Sequence, residues 1–131
     1  MMKRRMAREK ALQALFQIDI NEAGPMEAME NILHGAPVDP YLSELVHGTA
    51  KQMKEIDEII SNYLENWTVN RLAKVELNIL RLAVFELKYV KDVPSNVVIN
   101  EALEISKRFG DERSSKFING VLAKINTAIN N

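Results

Sequence analysis

The apolar residues of the chain recur at intervals of three and four, the spacing that places them on one side of an α-helix. In the first such stretch, Ala7, Ala11 and Leu15 follow one another at intervals of four. No segment alternates apolar and polar positions as a half-buried strand does. The pattern therefore predicts an all-α fold.

Turn-forming residues divide this pattern into separate helices. They cluster at Gly24-Pro25 and at residues 35–40, 66–68, 92–94 and 110–111. Side chains that cap a helix start precede four of the predicted helices: Asp39, Thr68, Ser95 and Asp111. These signals predict helices over about 3–21, 26–34, 40–65, 68–90, 95–109 and 111–129. The third reads as one helix or two, because its apolar stripe is interrupted near residues 50–55.

The predicted helix at 68–90 is apolar around most of its circumference, which indicates a central and largely buried helix. Glu76 and Glu86 fall inside its apolar arc. Because an unpaired buried carboxylate is costly, each is expected to form an internal ion pair or to contact a partner protein. Arg81 lies on the narrow polar side with Phe85 beside it, and we expect both side chains to point outward.

Charge is distributed unevenly, although the formal net charge is only −1. Residues 1–10 carry five basic groups and one acid, whereas residues 11–50 carry six acids and no Lys or Arg. Arg4, Arg5 and Arg8 share a sector with the apolar stripe of the first helix, and three guanidinium groups cannot occupy a dry core. We expect this end to extend past the packed body or to meet acidic partners. Arginine forks suit phosphate oxygens, and a solvated terminus is the alternative interpretation.

Cysteine and histidine, which supply many catalytic and metal-binding groups, are scarce. The absence of Cys and the presence of only two His exclude disulfides, thiolate metal sites and a three-histidine zinc site. The sequence also lacks a glycine-rich phosphate loop and an H-E-x-x-H motif. It has neither a cleavable signal nor an apolar run of roughly 18 residues. We therefore expect a cytoplasmic, non-enzymatic protein without a cofactor, a metal site or a membrane span.

Recognition of single-stranded RNA bases needs aromatic platforms and polar side chains near a basic surface. The sequence offers these candidates: Phe16, Phe109, Phe117, Gln13, Lys116 and Asn119. Aromatic residues at helical spacing more often belong to a core. Gly120 lies inside the last predicted helix at a cost of about 1 kcal/mol relative to Ala, which indicates either close helix packing or the close approach of a ligand.

Five motifs together form a specific pattern. They are R-R-x-A-R-E-x-A-L-Q-A-L-F at 4–16, E-L-N-I-L-R-L-A-V-F-E-L at 76–87, D-V-P at 92–94, I-N-E-A at 99–102 and F-I-N-G-V-L at 117–122. With them, the sequence resembles the NusB transcription antitermination family along essentially its whole length. The resemblance implies about seven helices in two packed subdomains, three helices and then four. These subdomains would be residues 1–66 and residues 67–131.

The resemblance also implies a function. Members of this family bind boxA-type single-stranded RNA of ribosomal RNA transcripts jointly with NusE, a small-subunit ribosomal protein, in the transcription elongation complex. Some relatives form homodimers that mask the RNA surface. The residues and the resemblance together give these RNA-binding candidates: Lys3, Arg4, Arg5, Arg8, Gln13, Phe16, Lys116, Phe117 and Asn119. The motif at 76–87 gives these candidates for the NusE contact: Glu76, Arg81 and Phe85.

Two other functions compete with this one. A protein-interaction adaptor would bind its partner through outward Arg81, Phe85 and Tyr89, and its basic arm would be generic. The helical domain also resembles the N-terminal part of certain ribosomal RNA cytosine methyltransferases. A chain of 131 residues leaves no room for their catalytic domain, however, and it lacks the cysteine nucleophile they use. The sequence therefore favours an RNA-binding factor.

Overall fold

The computed structural model describes residues 2–65 and 68–130. Within those residues it contains seven α-helices, one short 3₁₀ helix and no strand, which confirms the all-α prediction. The elements are α1 (Arg4–Asn21), α2 (Pro25–Leu33), α3 (Pro40–Lys51), α4 (Met53–Asn62), the 3₁₀ helix (Val69–Arg71), α5 (Lys74–Tyr89), α6 (Ser95–Phe109) and α7 (Glu112–Asn130). None of these helices is long and apolar enough to cross a membrane. The predicted subdomain boundary between residues 66 and 67 lies outside the described residues. Among the described helices, α1 to α4 precede it and α5 to α7 follow it, so this boundary does not divide three helices from four as expected.

The start of α3 is capped as the sequence predicted. Asp39 Oδ2 accepts hydrogen bonds from the backbone N–H groups of Tyr41 at 3.0 Å and Leu42 at 3.1 Å, and Asp39 Oδ1 accepts one from Met2 N at 3.1 Å. Burial raises the pKa of Asp39, but these three donors outweigh burial and leave the pKa below its usual value. Asp39 therefore fastens the beginning of the chain to α3.

The stretch from 40 to 65 forms two helices, because α3 ends at Lys51 and α4 begins at Met53. Asp111 is the predicted cap of α7, and its Oδ1 accepts a hydrogen bond from Ser114 N at 2.8 Å. Ser95 does not cap α6 as expected: it is the first residue of that helix, and Pro94 holds the capping position.

Thr68 does not cap the central helix, so the predicted start of that helix at residue 68 is wrong. Its side chain makes no capping hydrogen bond, the 3₁₀ helix follows it, and α5 begins only at Lys74. Leu72, between the two helices, has extended backbone angles and a buried side chain. Its burial secures this connection to the core and delays the start of α5.

Helix α5 is central, as its apolar circumference predicted. All eleven residues from Leu77 to Leu87 are buried, and α5 packs against α1, α3, α4, α6 and α7. A helix surrounded in this way has no free face along its middle. Every polar side chain in that stretch must therefore find its partner inside the protein.

Gly48 of α3 lies directly against the ring of Phe85, which a Cβ atom at this position would overlap. We expect Gly48→Ala to lower the free energy of unfolding by about 1–3 kcal/mol through overpacking, in spite of the better helix propensity of Ala. Gly120→Ala is the matched control, because a Cβ at Gly120 meets open space, and it should raise stability by about 1 kcal/mol. Urea denaturation measures both, and a Gly48→Ala protein as stable as the wild type would contradict the overlap.

Candidate nucleic-acid interface

Arg8 of the basic N-terminal segment belongs to the core, with only 3% of the residue exposed. Its Nε and Nη2 atoms donate to Glu86 Oε1 and Oε2, both at 2.8 Å, and the Tyr41 hydroxyl donates to Glu86 Oε2 at 2.6 Å. Burial, together with the hydrogen bond to Glu86, raises the pKa of Tyr41 well above its usual value. The internal ion pair expected for Glu86 is confirmed. Arg8 presents no free guanidinium to a ligand, contrary to the RNA contact expected from the sequence.

Arg4 remains at the surface at the beginning of α1. Its Nη2 is 3.6 Å from Asp92 Oδ2, and its guanidinium carbon lies 4.2 Å from the centre of the Tyr41 ring, within the range of a cation–π interaction. Lys3, which precedes the helix, is exposed as well. These two residues therefore present positive charge to the solvent from a defined position.

Arg5 is exposed too, but it is held by an acid of α6. Its Nη2 lies 2.8 Å from Glu101 Oε2, and its Nε donates to the same oxygen at 3.0 Å. The hydrogen bond to Glu101 raises the pKa of Arg5, which keeps the guanidinium charged. The basic segment thus meets acidic partners, one of the two arrangements expected from its sequence.

The start of α1 is an unfavourable place for these cations. The first turn contains no acid, and the preceding Lys3 makes no capping hydrogen bond. Because the N-terminal end of a helix carries partial positive charge, cations there are disfavoured by about 0.3–1 kcal/mol each. Local helix energetics therefore do not account for Arg4 and Arg5, and the acids that offset this cost in the structure are Asp92 and Glu101.

An apolar groove of about 270 Å³ lies beside α1, α5 and the end of α6. It is lined by Leu12, Gln13, Phe16, Gln17, Val75 and Phe109. Phe16 is half-buried and Gln13 is exposed. Phe109 is 38% exposed, and the Arg108 guanidinium carbon lies 5.5 Å from the centre of its ring. Two accessible aromatic rings with a glutamine at their edge can stack a nucleobase and form hydrogen bonds with it.

A second groove, of about 340 Å³, lies between α7 and the first turn of α5. Its lining is Arg71, Leu72, Ala73, Glu76, Arg113 and Phe117. The structure thereby brings together Glu76, expected to contact a partner protein, and Phe117, expected to contact RNA. Val75 lines the first groove, so both grooves reach the first turn of α5. An RNA surface and a protein surface would adjoin at this turn.

Helix α7 adds exposed polar residues next to the second groove. Lys116, Asn119 and Gly120 are all exposed. A Cβ atom at Gly120 would find no other atom within 4 Å, so close helix packing does not explain the glycine. The other explanation offered by the sequence, the close approach of a ligand, stays a prediction.

The sequence of this chain is similar to that of known proteins. The sequence model of the NusB family matches residues 5–127. The chain belongs to the NusB family. It is 52% identical to transcription antitermination protein NusB of Bacillus velezensis over 98% of both chains. It is 55% identical to the protein of the same name from Listeria monocytogenes serotype 4a, over 95% of this chain and 96% of that one.

Solved NusB structures share the fold. T. maritima NusB matches with a TM-score of 0.87 and 40% identity, covering 96% of this chain and 92% of that chain. A crystal structure of antitermination factors NusB and NusE in complex with double-stranded RNA matches with a TM-score of 0.87 and 32% identity, covering 95% and 96%. These matches confirm the family resemblance that the motifs indicated.

Within the NusB motif at 76–87, two of the three residues expected to bind a partner are buried. Arg81 Nε and Nη2 donate to the two carboxylate oxygens of Asp57, both at 2.8 Å, and Arg81 Nη1 lies 3.4 Å from Asp19 Oδ2. Phe85 packs over Gly48. The expectation that Arg81 and Phe85 point outward is wrong, because α5 is covered on all sides along this stretch. Glu76, near the start of the helix, keeps a partly exposed side chain.

Sequence reasoning missed two residues that organise the basic end of α1. Tyr41 contacts both Arg4 and Glu86, and Glu101 contacts both Arg5 and Arg8. Nothing local in the sequence pointed to Tyr41. Glu101 lies in the quoted I-N-E-A motif, and its charge complements the arginine cluster, so that combination was the available signal.

Proposed function

We propose that this chain is a non-enzymatic, RNA-binding transcription antitermination factor that acts in the cytoplasm. It binds boxA-type single-stranded RNA of ribosomal RNA transcripts together with NusE, in the transcription elongation complex. The relatives named above support the antitermination role, and the solved assembly of NusB and NusE with double-stranded RNA supports binding of RNA together with NusE. The observation that carries it is the exposure of Lys3, Arg4 and Arg5 at one end of α1, the helix that also lines the aromatic groove.

The roles of the residues follow from their exposure. Lys3, Arg4 and Arg5 contact phosphates, which position an RNA without reading its sequence. The side chains that contact bases come from α1 and α7: Gln13, Phe16, Lys116, Phe117 and Asn119. Arg8 instead orients α1 from inside the protein through its pair with Glu86.

In this proposal, the partner surface lies at the first turn of α5. Glu76 contacts NusE there, while Arg81 and Phe85 support α5 from within through Asp57 and Gly48. Residues 1–66 and 67–131 form the two packed subdomains in this proposal, and the packing of α1 against α5 joins them. Binding NusE next to the second groove would extend the RNA surface, which explains how one partner can strengthen binding of the other.

Titration of the purified chain with a boxA-like RNA and a scrambled control, each with and without NusE, tests the function. We expect selective binding of the boxA-like RNA that NusE strengthens. Equal, weak and salt-sensitive binding of both RNAs under all conditions would contradict the proposal and favour the adaptor with a generic basic arm. The burial of Arg81 and Phe85 argues against the form of that adaptor expected from the sequence.

A further inference from the structure

Glu101 occupies a position that the RNA-binding proposal does not explain. Its side chain is 16% exposed and lies between Arg5 at the surface and Arg8 in the core. Arg5 uses two donor atoms on this one carboxylate, Nε at 3.0 Å and Nη2 at 2.8 Å. An RNA phosphate would need the same kind of bidentate contact from Arg5. The carboxylate therefore already fills a role that a phosphate would take.

We propose that Glu101 limits the affinity of this protein for RNA by competing with phosphate for Arg5. The inference rests on the proposed function, because it assumes that the α1 surface binds RNA. A phosphate approaching Arg5 must either displace the carboxylate or share the guanidinium with it at the cost of like-charge repulsion. Glu101 is thus a tuning residue for binding and not a contact residue.

The other acids near the basic segment are less suited to this role. Asp92 is 74% exposed and reaches Arg4 only at 3.6 Å, and exposed pairs of this kind contribute little. Glu86 is buried with Arg8 and cannot face an RNA. Of these three acids, only Glu101 has a largely buried side chain whose partner, Arg5, is 60% exposed.

Glu101→Gln removes the competing negative charge and should leave the position of Arg5 unchanged. Glutamine keeps an oxygen that accepts a hydrogen bond from Arg5 but loses the negative charge. Arg8 keeps its ion pair with Glu86, so the fold should persist. Each phosphate contact on single-stranded RNA contributes a slope of about −0.7 in log affinity against log salt, or about fivefold at 0.1 M salt. We expect the variant to bind boxA-like RNA up to about fivefold more tightly and with a salt slope steeper by up to about 0.7.

Glu104→Gln is the matched control. Glu104 lies on the same helix and is exposed, and it pairs with Lys107 at 3.5 Å. Its replacement changes net charge by the same amount. Glu104 acts on Arg5 only through Coulomb attraction, without a hydrogen bond, so this change should alter affinity less than Glu101→Gln does. The same change is then made in an Arg5→Ala background. There, Glu101→Gln should no longer raise the affinity for RNA relative to Arg5→Ala alone.

The outcomes are distinguishable from one another. If the wild type fails to bind RNA, with or without NusE, the proposed function fails. If the wild type binds but Glu101→Gln binds RNA no more tightly than Glu104→Gln does, or the gain in affinity persists without Arg5, only the competition is overturned. Thermal unfolding of each variant verifies that a lowered affinity does not reflect a damaged fold.

Discussion

Replacement of Glu86 by Ala should lower the free energy of unfolding by about 3–5 kcal/mol, the range for removing one partner of a buried ion pair. The change leaves the Arg8 guanidinium charged inside the protein, without the two 2.8 Å hydrogen bonds that satisfy it. Glu101 remains 3.6 Å from Arg8, beyond hydrogen-bonding distance. The Tyr41 hydroxyl loses its acceptor as well. Urea denaturation measures the loss.

A second variant distinguishes the cost of the orphaned charge from the loss of packing. Arg8→Met, Glu86→Leu and Tyr41→Phe together remove the charges and the hydroxyl while keeping apolar volume, and such replacements are often neutral or stabilising. The triple variant should therefore recover most of the stability lost in Glu86→Ala. Equal destabilisation of both proteins would contradict the electrostatic explanation and assign the effect to packing.

The fold was largely predictable because its helices follow from local patterns. The apolar positions of α5 cover most of its circumference, which identified the helix that the others surround. Asp39 before Pro40 predicted the start of α3, and the helix begins at Pro40 as expected. Thr68 failed as a cap because the preference of one side chain does not reveal that Leu72 packs into the core.

The buried ion pairs were less predictable because they join distant parts of the chain. Arg8 and Glu86 are 78 residues apart in sequence. Each was an anomaly in its own helix, an arginine on an apolar stripe and a glutamate in an apolar arc. A helical wheel assigns each residue to a face but does not identify what covers that face. Pairing the two anomalies with each other was the step that sequence reasoning did not take.

The same limitation applies to Arg81. Its pattern predicted a polar side of α5, and the structure fills that side with Asp57 and Asp19. The neighbouring helices decide which side chains are exposed. Only the packing therefore showed that Arg81 and Phe85 are buried, whereas Glu76 is partly exposed. Phe16 shows the converse case, because it was as typical of a core as Leu15 and yet it lines an open groove.

Simultaneous replacement of Lys3, Arg4 and Arg5 by Ala should weaken binding of boxA-like RNA by about 25- to 125-fold at 0.1 M salt, with a salt slope shallower by about 1.4 to 2.1. Two full phosphate contacts account for the lower value, and a third raises it to the higher one. Arg5 is expected to contribute less than a full phosphate contact, because Glu101 already neutralises part of its charge. The loss of affinity should therefore fall between these two values. Arg8 is excluded from the variant, since its replacement would damage the core.

Charge retention supplies the control for this experiment. Arg4→Lys with Arg5→Lys keeps both charges but loses the bidentate geometry, so the salt slope should stay near that of the wild type while affinity falls only moderately. If the alanine variant bound RNA with wild-type affinity and slope, phosphate contacts by this segment would be ruled out. The RNA would then have to bind through the aromatic grooves and α7 alone. Replacement of Phe16 and Phe117, which line the two grooves, would test that alternative.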